Sequence, residues 1–187
     1  DDVPVGTENG PLFPDFFNQI IPRGLVIQTD GEARVSGTGD TGSPADFSDL
    51  NANYQDDFDP FSPDRLFSPI GSNVTALRFF LPGTDTPAVV SGFGAVFSDV
   101  DHPFETKIEL YDVSGQQIGS EFADPAPGDG NVSFVGVNFV DPIIASVRIT
   151  TGTEALTFSS SPDDGVGADL VVMDCLLYTS PSPRDKT

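Results

Sequence analysis

The chain has 187 residues, a length that suits one domain and can bury a full hydrophobic core without disulfides. Eight basic residues stand against 29 acidic ones, and the net charge of −21 argues against nucleic acid and anionic lipid as partners. The 19 Gly and 17 Pro favour a turn-rich β protein over one with long helices. No apolar run approaches the ~18–20 residues that span a bilayer, so we expect no membrane insertion.

The N-terminal part predicts a lead-in followed by a hairpin. Residues 1–15 are acidic and rich in Pro and Gly, which is typical of an extended segment. Residues 23–29 and 33–36 are β-favouring runs on either side of an Asp-Gly turn, a pattern that indicates a hairpin. We therefore place the start of the folded domain at residue 16.

Residues 37–73 carry no regular pattern and predict a long irregular loop. Small and polar residues dominate this stretch, and large apolar residues interrupt it at uneven intervals. Because a structureless loop of this length is uncommon in a compact domain, we expect the apolar side chains to hold it over the core as a lid. These side chains are Phe47, Leu50, Tyr54, Phe58, Phe61, Leu66 and Phe67.

Regular strand signals begin after this loop. Alternating residues around an Asp-Val-Ser-Gly turn predict a hairpin of residues 107–113 and 117–122. Residues 131–140 are largely apolar on both faces, which predicts a central strand covered on both sides. The other predicted strands are residues 74–81, 88–100, 143–150, 155–159 and 168–174. About ten short strands without helical periodicity predict an all-β fold, a two-sheet antiparallel β-sandwich of the jelly-roll kind.

The end of the chain differs from the rest. Residues 175–185 read CLLYTSPSPRD, which resembles one translated frame of a transposon-type sequencing adaptor. We therefore expect residues 175–187 to be a non-native tail, and the sandwich domain of residues 16–174 to be truncated. The single Cys lies in this tail, so the domain is predicted to hold no disulfide and no thiolate site. Loss of a final strand would leave an open sheet edge and favour self-association of residues 1–174.

Four carboxylates at predicted strand ends form the candidate metal site. Asp99 and Asp101 follow the long strand of residues 88–100, while Asp169 and Asp174 bracket a purely apolar segment. Carboxylates at the ends of a buried strand need a partner, which is a backbone N–H, an Arg or a cation. Because Ca²⁺ takes oxygen ligands, we predict a structural calcium site from these four residues. Capping of loops by hydrogen bonds is the alternative, and no D-x-D-x-D-G calcium loop occurs.

Signs of catalysis are weak in this sequence. His102, the single His, precedes a Pro at a strand-to-loop junction and is interpreted as a solvated loop residue. No G-x-S-x-G motif occurs, and with so many acids a facing carboxylate pair carries no information. We therefore predict no catalytic residue, no cofactor-binding residue and no enzyme activity, and keep a secreted glycoside hydrolase as an alternative.

Several segments resemble an uncharacterised domain of secreted bacterial proteins, which often carry a PEP-CTERM-type sorting signal. The segments are PRGLVIQT, LFSPIGSNVTALRFFLPGTDTPAVVSGFGAVFSDVD, VRITTGTEAL and DLVVMD, and the resemblance covers about residues 16–174. The closing strand is also weakly similar to that of MAM-type extracellular sandwich domains. The resemblance implies a β-sandwich and an extracellular location, and it implies no reaction.

The sequence therefore favours a secreted or cell-surface, non-catalytic binding or structural module of the bacterial envelope or matrix, stabilised by calcium. Its ligand would be an extracellular glycan or protein. A carbohydrate-binding module is the first alternative, although the absence of Trp weakens it; exposed Phe side chains in residues 47–67 would support it. A secreted hydrolase is the second, and it requires a cleft with two facing carboxylates.

Overall fold

A computed structural model describes residues 10–37, 45–62, 65–158 and 167–183 of the chain. Thirteen strands, one short α-helix and a π-helical turn are formed by these residues. The helix α1 is Tyr54–Asp57, and the π-helical turn is Phe16–Ile20. The strands are β1 Gly10–Pro11, β2 Leu25–Gln28, β3 Glu32–Gly37, β4 Arg65–Ile70, β5 Val74–Phe79, β6 Ala88–Val89, β7 Gly92–Ser98, β8 Lys107–Tyr111, β9 Gln117–Phe122, β10 Val132–Asn138, β11 Ser146–Thr150, β12 Val172–Tyr178 and β13 Ser182–Pro183.

Two sheets with antiparallel strands enclose the main core, which confirms the predicted all-β sandwich. The first sheet has the strand order β1-β3-β4-β12-β7-β10, and the second has the order β2-β5-β11-β8-β9. The chain crosses repeatedly between the two sheets, as in a jelly roll. The short strands β13 and β6 form a separate pair.

The alternation of side chains builds the main core between the sheets. In β8, Ile108 and Leu110 are fully buried, and β11 places Ile149 and Val147 directly opposite them. A strand turns alternate side chains to opposite faces, so this register brings all four into the core. The predicted hairpin of residues 107–122 is confirmed as β8 and β9. Its turn is held by Asp112, whose carboxylate accepts hydrogen bonds that lower its pKa.

The prediction of an irregular loop over residues 37–73 is wrong in two places. Strand β4 lies within it and pairs with β3 along its whole length, and α1 also lies within it. All six residues of β4 are buried, because the strand is covered on both faces. Its sequence therefore shows no alternation, and Ser68 and Pro69 give it the composition of a loop.

The part of this segment that precedes β4 covers the outer face of the first sheet. A second apolar cluster, here called the lid core, lies between this segment and the sheet. It consists of Phe47, Leu50, Tyr54, Phe58, Leu66, Ile70, Leu156, Leu170 and Val172. In β4, Leu66 belongs to the lid core and Phe67 to the main core, as the alternation of a strand requires. Residues 45–62 therefore lie over the sheet as the sequence predicted.

Strand β10 is not the central strand predicted from residues 131–140. It lies at the edge of the first sheet and pairs with β7. Phe134 on its outer face is 58% exposed, and its ring covers Gly94 and Gly136, where an added Cβ would come within 3.0 and 2.8 Å of ring carbons. The outer apolar residue thus shields two glycines instead of packing under another layer.

The predicted hairpin of residues 23–29 and 33–36 is wrong, because β2 pairs with β5 in the second sheet while β3 pairs with β1 and β4 in the first. Other predicted strand limits also shift. The strand of residues 88–100 divides into β6 and β7. Residues 155–158 form no strand and contribute a single bridge between Leu156 and Ile70; residue 159 lies outside the described residues. Among the described residues, no helix has both the length and the apolar character required to cross a bilayer.

The last predicted strand continues into the tail. Strand β12 includes residues 175–178, and its Leu176, Leu177 and Tyr178 lie opposite Ala95, Gly94 and Phe93 of β7. Since β12 lies between β4 and β7, the final strand occupies the interior of the first sheet. A shortened β12 would leave its gap inside the sheet, with the facing edges of β4 and β7 unpaired, and self-association of residues 1–174 stays a prediction. The adaptor origin of these residues stays a prediction.

Candidate metal centre

The connection from β7 to β8 brings ionisable side chains to one end of the sandwich. Residues 99–106 cross from the first sheet to the second, and they face the segment that enters β12. Asp99 and Phe104 have φ of +70° and +68°, a left-handed conformation that is uncommon for residues other than Gly. The Asp101 N–H, which lies between these two bends, donates a hydrogen bond to the Asp169 carboxylate.

Hydrogen bonds and burial hold Asp169 in place at this site. Its backbone N–H donates to Thr153 Oγ1 at 3.0 Å, and its carbonyl accepts from the Thr153 N–H at 3.0 Å. The side chain is fully buried. Its Oδ1 accepts the Asp101 N–H at 3.2 Å, whereas Oδ2 is buried without a hydrogen-bond partner among the described residues. Burial raises the pKa of this carboxyl to about 6, against the opposing effect of the Asp101 hydrogen bond.

Two further side chains converge on this carboxylate. His102 Nδ1 lies 3.3 Å from Glu105 Oε2. One ligand atom each from His102, Glu105 and Asp169 lies within 4.8 Å of the other two, and these residues are called the His-Glu-Asp cluster below. Imidazole nitrogen and carboxylate oxygen are both common ligands of divalent metal ions. The donor set therefore fits a cation.

Of the four predicted ligands, the structure brings Asp101 and Asp169 into direct contact. Asp101 lies at the rim, where its Oδ1 accepts the Gly128 N–H at 2.9 Å. Asp99 is buried two residues earlier, and its N–H donates to the Asn131 carbonyl.

Asp174 contacts another loop, the one that contains Phe61 and Ser62. Its carboxylate accepts hydrogen bonds from the backbone N–H groups of Phe61 and Ser62 and from the Ser62 hydroxyl. These three donors already satisfy much of its hydrogen-bonding capacity, so for Asp174 the structure shows the loop-capping arrangement.

Sequence reasoning missed His102 and Glu105. The His102 side chain is 38% exposed and contacts Glu105, so it has a partner rather than water alone. The signal that was available is the spacing Asp-His-x-x-Glu directly after β7. A turn over four residues brings such side chains together, but their meeting with Asp169 depends on a residue far along the chain.

Asp46, in the segment of residues 45–62 that lies over the first sheet, carries a second buried carboxyl group. Its ionisation allows a test of how the stability of the fold depends on pH. Burial, followed by repulsion from Asp59, raises its pKa to about 6, against about 3.9 in an unfolded chain. Between these values the folded state binds the extra proton, so stability falls as pH rises from about 4 to above 6.

We expect Asp46→Asn to raise the free energy of unfolding by about 2 kcal/mol at pH 7.5 and to change it little at pH 4. Asn also tolerates the left-handed backbone at this position, where φ is +50°. Denaturant unfolding at both pH values, in EDTA, measures this. The exposed Asp56→Asn is the control, and an equal gain at both pH values would refute the burial argument.

Most phenylalanine rings of residues 47–67 are too buried to stack on a sugar. Phe47, Phe58 and Phe67 are buried, and Phe61 is 67% exposed. Rings that stack on sugars must be exposed, so three of the four rings proposed for glycan binding serve the core instead. An exposed pair, Phe104 and Phe122, meets edge to face elsewhere on the surface.

A cavity of about 590 Å³ opens between the sheets away from the His-Glu-Asp cluster. Phe17 and Leu25 line one side, and Phe67 and Tyr178 line another. Among the described residues that line it, Asp174 is the acidic one, and none of the cluster residues borders the cavity. A hydrolase that works with two carboxylates needs a second acid facing the first.

No protein-family model and no curated protein matches this chain. Among solved structures, it is similar to the enzymatically active domain of tailspike protein 4 from bacteriophage CBA120, with a TM-score of 0.35 and 11% sequence identity. The match covers 94% of this chain and 22% of the tailspike chain, so the chain spans about a fifth of that protein's length.

Proposed function

We propose that this chain is an extracellular, non-catalytic binding or structural module of a bacterial envelope or matrix, in which a divalent cation fastens one end of the sandwich. The buried Oδ2 of Asp169 carries this proposal. A carboxylate oxygen removed from water without a partner is unfavourable by several kcal/mol, and a bound cation removes that penalty.

The position of the cluster explains what a cation would do there. His102 and Glu105 belong to the crossing from the first sheet to the second, and Asp169 belongs to the segment that enters β12. An ion bound to all three would link this crossing to the interior strand of the first sheet. Such a link would stabilise the fold.

The acidic surface supports an extracellular setting. A net charge of −21 keeps a protein soluble and repels phosphate-rich polymers.

Thermal unfolding with and without divalent cations tests the proposal. We expect the wild-type protein to melt at a higher temperature with a divalent cation than in EDTA, since a ligand at a hundredfold excess over Kd adds about 2.7 kcal/mol. Asp169→Asn should abolish the difference. Asp141→Asn removes an exposed carboxylate and should retain it. Identical wild-type melts in EDTA and in every divalent cation tried would contradict the proposal.

A further inference from the structure

Within the proposed function, the geometry points to zinc, or an ion of the same chemical class, as the cation of the His-Glu-Asp cluster, rather than to the calcium that the sequence suggested. The inference rests on which atoms the fold brings together. One of the three is an imidazole nitrogen, from His102.

The number and kind of donors distinguish the two ions. Ca²⁺ takes six to eight oxygen ligands, supplied by carboxylates, carbonyls and water. The cluster offers three donor residues, and one of its donors is nitrogen. Zn²⁺ is four-coordinate and accepts His nitrogen together with Asp or Glu oxygen, so three protein ligands and one water complete its shell.

The distances allow the donors to close around one ion. Ligand atoms at about 2.0–2.2 Å from Zn²⁺ lie roughly 3.5 Å from one another. The three donor atoms lie within 4.8 Å of each other, so side-chain movements of about an ångström would complete the site. His102 and Glu105 have side chains 38% and 31% exposed, which gives them freedom to make this movement.

Asp169 requires no such movement because its surroundings already hold it. Thr153 fixes its backbone on both sides, and the Asp101 N–H holds Oδ1. The remaining oxygen, Oδ2, has no hydrogen-bond partner in the part of the chain that the structure describes. Hydrogen bonds that orient a ligating carboxylate in this way are typical of the groups that surround metal ligands.

Among the described residues, two other acids predicted as calcium ligands make contacts of their own. Asp101 directs Oδ1 to the Gly128 N–H, and Asp174 is engaged by the backbone of Phe61 and Ser62. With the described residues alone, Ca²⁺ at this cluster would need several water molecules to reach six or more oxygen ligands.

Metal titration of the full chain, followed by thermal unfolding and by the visible spectrum of added Co²⁺, tests the inference. We expect Zn²⁺ to raise the melting temperature at lower concentration than Ca²⁺. Co²⁺ should develop the intense visible bands of a four-coordinate ion, and Zn²⁺ should abolish them. His102→Ala and Glu105→Gln should weaken Zn²⁺ binding by more than the roughly tenfold loss that follows removal of a supporting group. The exposed Glu121→Gln is the control and should leave binding unchanged.

Two results would overturn the inference in different ways. If Ca²⁺ stabilises the wild type and His102→Ala equally while Zn²⁺ adds nothing, the cluster is a calcium site and the proposed function survives. If no divalent cation stabilises the wild type, the inference and the cation in the proposed function both fail.

Discussion

A chain that ends at Asp174 should lose on the order of 4 kcal/mol of stability, a large part of what a small domain has. Residues 175–178 complete β12 between β4 and β7, and Leu176 and Tyr178 pack against the main core. Tyr178 also lies 5.5 Å from the Phe79 ring and donates a hydrogen bond to the Arg23 carbonyl. Burial of each large side chain contributes about 1.5–3 kcal/mol, and small domains have about 5–15 kcal/mol in total.

Circular dichroism during urea unfolding measures this effect. A chain that ends at Pro183 is the matched control, because it keeps β12 and β13 and should unfold like the full chain. If the chain that ends at Asp174 unfolds at the same urea concentration as the full chain, residues 175–178 contribute nothing to the fold.

Gly152→Ala should destabilise the protein by about 3 kcal/mol or more and remove its response to cations. Gly152 has a φ of +56°, and a Cβ added there would lie 2.0 Å from the Asp169 carbonyl oxygen. The backbone of Asp169 would have to move, because the obstructing atom belongs to the main chain. A shift of Asp169 also displaces the ligand on which the centre depends.

The substitution Gly115→Ala is a control for Gly152→Ala. It separates the steric clash with Asp169 from the strain of placing an Ala at positive φ. Gly115 has a similar φ of +83°, and nothing lies within 4 Å of its added Cβ. We expect a loss of about 1 kcal/mol there, with the cation response intact. Equal losses from the two substitutions, measured by chemical denaturation, would show that the contact between Gly152 and Asp169 is unimportant.

The fold was predictable from sequence where one face of a strand is apolar and the other polar. The β8–β9 hairpin shows this, because Ile108 and Leu110 alternate with polar residues and a sharp turn follows. Strand β4 escaped prediction because it is buried on both faces and contains Ser68 and Pro69. Strand β10 was misplaced because Phe134 is apolar for a local reason, the covering of two glycines.

The candidate site was predictable only in part. Position at strand ends identified Asp101 and Asp169 as neighbours, because both follow or precede buried apolar strands. The same rule also selected Asp174, whose carboxylate accepts hydrogen bonds from Ser62 in a different loop. His102 and Glu105 meet Asp169 through a contact between distant parts of the chain, which their local Asp-His-x-x-Glu spacing cannot predict.

Anomalous X-ray diffraction at the zinc absorption edge, from crystals of this chain grown with Zn²⁺, tests the cation centre most directly. We predict one strong peak within about 2.0–2.2 Å of Asp169 Oδ2, a His102 ring nitrogen and a Glu105 carboxylate oxygen. An empty cluster, with Asp169 Oδ2 hydrogen bonded to water, would contradict the central claim that a cation neutralises this buried carboxylate.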